Sequence, residues 1–291
     1  MPDFLTKCVQ IDGAVNAVSG AANPPIYQSA GFSHPEPNVL EDIFNGRDFG
    51  HTYSRVSNPT ITELERRITA LEGALGTVAV SSGLAAIFAA CIALGSDKSS
   101  IVVSNSLFGG TRDLFEETIP KLGISVRFVD ITNVDMVQAQ VDDTTCAIFS
   151  EIISNPKLSV PDISALKAIA TQHHIPLIVD ATLTGSIGFR AKAAKVDVVI
   201  YSSTKLFSAN GGAIGGLVVD TGAFDWGTFK NQDIQESSKR VHRFAFLERI
   251  RRHGLNNIGL NTSPMNAYFT ILGIETLGLR YERICQNAQA I

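Results

Sequence analysis

The chain has 291 residues, 45% of them hydrophobic, enough to bury a large core and to build one big domain with appendages. Its net charge of −4 excludes nucleic acid or an anionic membrane as the main partner, since both demand a dense basic surface, and leaves small molecules as the default ligands. The cysteines Cys8, Cys91, Cys146 and Cys285 lie far apart, and the six histidines show no ligand spacing. Reduced thiols, a cytoplasmic location and no metal are therefore expected.

The N-terminus, MPDFLTKCVQIDGAV, lacks the basic stretch and apolar run of a secretory signal. Residues 1–55 are rich in Pro, Gly and Asn and are expected to form an extended arm that packs on something else. From residue 56 short apolar runs alternate with amphipathic stretches, the pattern of a parallel sheet covered by helices, so the fold class is α/β. Strands are predicted at Thr77–Val80, Ser100–Ser104, Val126–Val129, Cys146–Ser150, Pro176–Val179, Val196–Tyr201 and Ala213–Val219. Helices are predicted at Thr62–Leu71, Leu84–Leu94, Thr111–Leu122, Asn133–Gln140 and Ile163–His173. The uncharged stretch Ala74–Ser96 is long enough for a membrane span, but Ser81-Ser82-Gly83 divides it, and it reads as buried strand, turn and Ala-rich helix. Beyond Trp226 the sequence turns polar. Residues 263–291 then form one long helical region, leading onward from the domain of residues 56–262.

In an open α/β sheet the chemistry sits at the carboxyl ends of the strands. Asp180 ends one predicted strand, and Ser202-Ser203-Thr204-Lys205 follows the next, which places both on one edge of the sheet. Such a pair is either a plain ion pair or a cofactor site. A buried, desolvated lysine loses its proton near neutral pH, as a Schiff-base lysine requires, and the aspartate can protonate a pyridine nitrogen. Ser202 to Lys205 also fits the S-x-x-K pattern of penicillin-recognising hydrolases, but the S-D-N and K-T-G partners are absent. The Ser81-Ser82-Gly83 turn opens a helix and reads either as an anion site or as an ordinary structural turn. Tyr53 and Arg55 stand in a loop, and an arginine fork matches phosphate. His173-His174 suits a helix C-terminus.

The segments YSRVSNPTITELERRITALEG, SSGLAAI, SLFGGTRDLF, EIISNP, VDATLTGS, YSSTK and SPMNAYFTILGIETLGLRYERICQNA resemble, in order and spacing, those of the Cys/Met metabolism enzymes that use pyridoxal 5′-phosphate (PLP). The resemblance covers nearly the whole chain. It implies the PLP-dependent transferase fold (fold type I), with a mostly parallel seven-stranded sheet between helices. It also implies Lys205 as the Schiff-base and catalytic lysine and Asp180 on the pyridine nitrogen. Gly83 and Leu84 would offer N–H groups to the phosphate from the turn that Ser82 opens, with the hydroxyls of Ser202 and Thr204 beside them. Phe108 would stack on the ring, with Asn155 and Glu151 in the wall beside it. Tyr53 and Arg55 would reach the phosphate of a neighbouring subunit, so the arm of residues 1–55 would contact that subunit in a homodimer or homotetramer.

Two departures stand out. Ala181-Thr182-Leu183 replaces the usual Asn-Thr-Phe, and the sequence stops where family members continue into a C-terminal domain that holds an arginine for the substrate carboxylate. Phe108 replaces the tyrosine with which the lyases protonate a leaving group. A thiolate, with a parent pKa of ~8.5, benefits from that proton, whereas a carboxylate of parent pKa ~4 does not need it. The resemblance is therefore to the O-acetylhomoserine sulfhydrylases of methionine biosynthesis and transsulfuration, which also carry a run similar to GGLVVDTGAFDW. The expected reaction is γ-replacement on an O-acyl-homoserine by sulfide or a thiol. The alternatives are cystathionine γ-synthase, cystathionine γ-lyase or methionine γ-lyase activity, or a silent PLP-binding subunit.

Overall fold

The computed structural model describes residues 4–11, 20–44, 47–48 and 50–291. In chain order the elements are α1 (Phe4–Val9), α2 (Pro37–Phe44), α3 (Pro59–Glu72), β1 (Gly76–Val80), α4 (Gly83–Leu94), β2 (Ser100–Ser104), α5 (Gly109–Asp113), β3 (Ser125–Val129), α6 (Val134–Gln140), β4 (Thr145–Glu151), α7 (Ile163–Gln172), β5 (Leu177–Asp180), α8 (Gly185–Gly188), β6 (Val198–Ser202), β7 (Gly216–Asp220), α9 (Gln232–Val241), α10 (Ala245–Arg249), α11 (Pro264–Glu275) and α12 (Leu277–Ala290). All seven predicted strands are present, with ends shifted by at most three residues.

The strands form one sheet in the order β1-β7-β6-β5-β4-β2-β3. Pairs β6/β5, β5/β4, β4/β2 and β2/β3 are parallel, while β7 runs antiparallel between β1 and β6. Every residue of β2, β4 and β7 is buried, as the apolar runs predict for strands covered on both faces. Ile87, Ala90 and Leu94 of α4 pack with Trp226, Phe229 and Phe246 on one face. Leu64 and Ile68 of α3, Leu166 of α7 and Ile271 of α11 pack on the other. The fold is α/β of the PLP-dependent type I class.

Local sequence explains most departures from expectation. The Thr111–Leu122 helix begins earlier, as α5, and passes through a π turn at Leu114–Thr118 into a 3₁₀ turn at Ile119–Leu122. Pro120 has no N–H for the α-helical ladder, so the register changes around it. The long C-terminal helix is two helices parted at Thr276. Helix α9 was hidden by polar composition, and α10 is only five residues long; the Asn231 side chain caps α9 by accepting from Asp233 N–H at 2.9 Å.

Within residues 1–55, residues 1–3, 12–19, 45–46 and 49 lie outside the described residues. Helix α1 packs on α3, α11 and α12 of its own chain, with Lys7 Nζ donating to Ala70 O at 3.1 Å. Ala74–Ser96 forms β1, a turn and α4, and among the described residues no helix is long and apolar enough to cross a membrane.

Candidate active site

Strands β5 and β6 are parallel neighbours, and their register sets Asp180 beside Ile200, two residues before Ser202. Glu151, the last residue of β4, is in register with Asp180. Asp180, Glu151 and Ser202 therefore share the sheet face that α4 covers, at its carboxyl edge.

Helix α4 starts at that edge. Ser82 caps it: Ser82 Oγ accepts from Ala85 N–H at 3.1 Å and Ser82 O from Ala86 N–H at 3.0 Å. The remaining first-turn donors, the N–H groups of Gly83 and Leu84, have no place in the helical ladder. They lie at the helix N-terminus beside Ser202 at the end of β6, an arrangement that binds anions. Gly83 is required by close approach, since a Cβ there would lie 2.7 Å from Ser202 Cβ and 3.2 Å from Ser202 Oγ. Gly216 is required likewise, because its Cβ would run into Ser82 O. The two chain segments thus form a narrow cradle with the Ser202 hydroxyl on one wall.

Thr204 Oγ1 accepts from Gly215 N–H at 3.1 Å and donates to Gly215 O at 3.3 Å, so it ties the lysine turn to the start of β7. Thr182 does similar work, and the sequence did not mark it: its N–H donates to Asp180 Oδ1 at 2.8 Å and its Oγ1 accepts from Ser202 N–H at 2.8 Å. The Thr of the altered Ala181-Thr182-Leu183 run joins the two strand ends. Burial pushes the Asp180 carboxyl above its usual range, opposed by hydrogen bonds from Thr182. A cationic partner such as a pyridinium N–H reverses that preference.

Lys205 departs from expectation. It is exposed rather than buried, and no carboxylate lies within ion-pair distance among the described residues, so the simple ion pair with Asp180 is not formed. The turn carries Lys205 off the sheet edge: Phe207 turns into the core while Lys205 turns out, and Lys205 N–H donates to Ser202 O at 3.2 Å.

Phe108 precedes α5 with its ring 50% exposed, lying over Gly110, where a Cβ would come within 3.0 Å of the ring and 3.4 Å of Leu84 Cδ1. An exposed aromatic face thus stands near the anion-binding turn. Asn155 is exposed, and its N–H donates to Glu151 Oε2 at 2.9 Å. Tyr53 and Arg55 are not brought to this group. Both are exposed, the Arg55 guanidinium lies 5.3 Å from the Tyr53 ring centroid, and Arg55 donates to Asn256 O.

These donors fit PLP: an anion cradle only glycine permits, an acid at a strand end for the ring nitrogen, an aromatic platform and a reachable lysine. Fold and site define a PLP-binding α/β protein of fold type I. The chain belongs to the Cys/Met metabolism PLP-dependent enzyme family, whose sequence pattern matches residues 5–291. It is 37% identical over 279 residues to a sulfhydrylase of Fusarium oxysporum f. sp. lycopersici, covering 92% of this chain and 64% of that protein. It therefore spans a little under two thirds of that relative's length. A Campylobacter jejuni crystal structure bearing N′-pyridoxyl-lysine-5′-monophosphate superposes with a TM-score of 0.91 at 30% identity, covering 100% of this chain and 74% of that one. An O-acetylhomoserine sulfhydrylase of Wolinella succinogenes gives 0.76 at 41% identity, over 81% and 68%.

Proposed function

We propose that the chain carries the PLP site of an O-acetylhomoserine sulfhydrylase, which replaces the γ-acetate of O-acetylhomoserine by sulfide or a thiol to give homocysteine or methionine. The observation that carries this reading is the cradle between the start of α4 and Ser202 at the end of β6, with the exposed Phe108 ring near Leu84. Bound PLP supplies an electron sink for the pair left when an amino acid loses its α-proton. Lys205 Nζ would hold the cofactor and would move the substrate's α-proton. The Gly83 and Leu84 N–H groups and the Ser202 hydroxyl would hold the phosphate, and Asp180 would hold a proton on the ring nitrogen. Asn155 would flank the ring. The C–O bond to acetate breaks and a C–S bond forms. Because the departing group is a carboxylate of parent pKa ~4, a phenyl ring at Phe108 suffices where a thiolate would call for a proton donor. Tyr53 and Arg55, exposed and outside this chain's own cradle, serve the phosphate of a second subunit in a homodimer or homotetramer.

The test is spectroscopic first. Purified protein given PLP is expected to show a violet band that borohydride bleaches and that Lys205→Ala removes; no such band rejects the assignment. Supplied with O-acetylhomoserine and sulfide, the protein is expected to release acetate and homocysteine. A panel with cystathionine and methionine separates the γ-lyase and γ-synthase alternatives. A band without turnover of any of these substrates favours a PLP-binding subunit that works with a longer relative.

A further inference from the structure

Glu151 closes β4 and is buried, 7% exposed, at the carboxyl edge of the sheet. Each of its carboxylate oxygens accepts one backbone hydrogen bond, from a different loop. Glu151 Oε1 takes Phe108 N–H at 2.8 Å, and Glu151 Oε2 takes Asn155 N–H at 2.9 Å. Phe108 belongs to the loop after β2, and Asn155 to the loop after β4 itself. Phe108 has no side-chain capping bond of its own at the start of α5. Asn155 is exposed and is followed by four residues of which three are also exposed. The preceding residues, Leu107 and Ser154, are buried in their own loops, and the one carboxylate joins the two loops to each other. The same carboxylate sits in register with Asp180 on the neighbouring strand.

We propose that Glu151 is a positioning residue that clamps the Phe108 ring and the Asn155 loop at a set separation, and so shapes the wall against which the ring of PLP lies. The inference rests on the PLP reading above. A carboxylate is required because it presents two acceptors at once. Gln offers one acceptor and sets an NH₂ donor against the other N–H, and Ala offers none. Burial of an acid beside a second acid is unfavourable, and it raises the Glu151 carboxyl to about 7 while the two N–H groups pull it down. A residue that only filled space would be better apolar.

Wild type, Glu151→Gln and Glu151→Ala are compared in two measurements. Backbone amide exchange in the PLP-free protein reads the clamp directly. Exchange is expected to rise at Phe108 and Asn155 in the Ala variant, and at one of them in the Gln variant. PLP titration is expected to show about tenfold weaker binding in Glu151→Gln and a displaced violet band, since one charge-assisted bond is lost, with the melting temperature of the PLP-free Gln variant within a few degrees of wild type. The proposal is overturned if amide exchange at both residues is unchanged in the Ala variant. It is also overturned if binding and band position stay at wild-type values in both variants, or if binding weakens only in step with a fall in melting temperature. A wild type with no violet band rejects the PLP reading instead, and amide exchange still decides whether the clamp exists.

Discussion

Gly83 and Glu72 show how single side chains set the terms of the site and of the fold. A methyl at position 83 would meet Ser202 Cβ at 2.7 Å and Cα at 3.1 Å, so the start of α4 must move off the end of β6. Gly83→Ala is expected to weaken PLP binding by an order of magnitude and to lower stability by ~1–3 kcal/mol, read from a PLP titration and a urea midpoint. Glu72 lies on the other face of the sheet, buried, accepting the hydroxyl of the fully buried Tyr201, and burial lifts its pKa to about 7. Gln keeps an oxygen for Tyr201 and carries no charge. Glu72→Gln is therefore expected to be more stable than wild type by ~1–3 kcal/mol at pH 8 and by much less at pH 5, where Glu72 is protonated in the folded state and largely ionised in the unfolded one. A gain at pH 5 as large as at pH 8 would contradict this account. Of the residues around the cofactor site, Lys205, Asp180 and the Ser82-Gly83 turn were legible because each follows an apolar strand in a polar or Gly-containing turn. Thr182 carried no such mark, since its part depends on the register of β5 and β6.

Among the elements, the C-terminal helices act on the lysine turn. Arg280 of α12 donates from Nη2 to Leu206 O at 2.8 Å and Gly273 O at 2.6 Å, and from Nε to Thr276 Oγ1 at 3.0 Å. Gly273 of α11 presses on the backbone at Phe207–Ala209, with no room for a Cβ. The turn bearing Lys205 is thus held from below by the segment that the sequence presented only as a helix leading elsewhere. Arg280→Met removes three donors. It is expected to cost ~1–3 kcal/mol of stability and to speed PLP release, measured by thermal melting and by decay of the violet band after gel filtration. PLP release at the wild-type rate would leave α12 without a part in holding the turn. Strands were read well because fully buried strands need uninterrupted apolar runs, whereas α9 was missed because it buries only Ile234 and Ser237.

For the molecule as a whole, buried acids dominate the pH dependence. Glu72, Glu151 and Asp220 are each raised to about 7, in every case chiefly by burial. A raised acid favours the folded state while it is protonated, and that advantage disappears as pH rises from the unfolded value, near 4, through the folded one. His51 and His253 are lowered by burial and act in the opposite sense below about pH 6.5, but each is only partly buried. The urea midpoint of the PLP-free protein is expected to be higher at pH 5.5 than at pH 7.5, and the reverse order would mean that these acids do not control stability. Assembly is tested by mixing Lys205→Ala with Arg55→Ala. If Arg55 serves a neighbour's phosphate, each hybrid dimer contains one site with both residues, and PLP binding in an equal mixture should return to about a quarter of the wild-type level by counting sites. No recovery on mixing, with each variant inactive alone, would reject the shared site.

The sequence by itself determined the α/β class, the seven strands and the family, and it singled out Lys205, Asp180 and Gly83. These follow from apolar runs and turn chemistry that act over a few residues. Tertiary structure alone decided that Lys205 stands exposed, that Thr204 bonds to Gly215, and that Glu151 reaches Phe108 across 43 residues of chain and joins it to Asn155. The physical reason is that burial and hydrogen-bond partnership depend on which strands lie side by side. The order β1-β7-β6-β5-β4-β2-β3 is set by packing of the whole core and leaves no local trace in the residues it brings together.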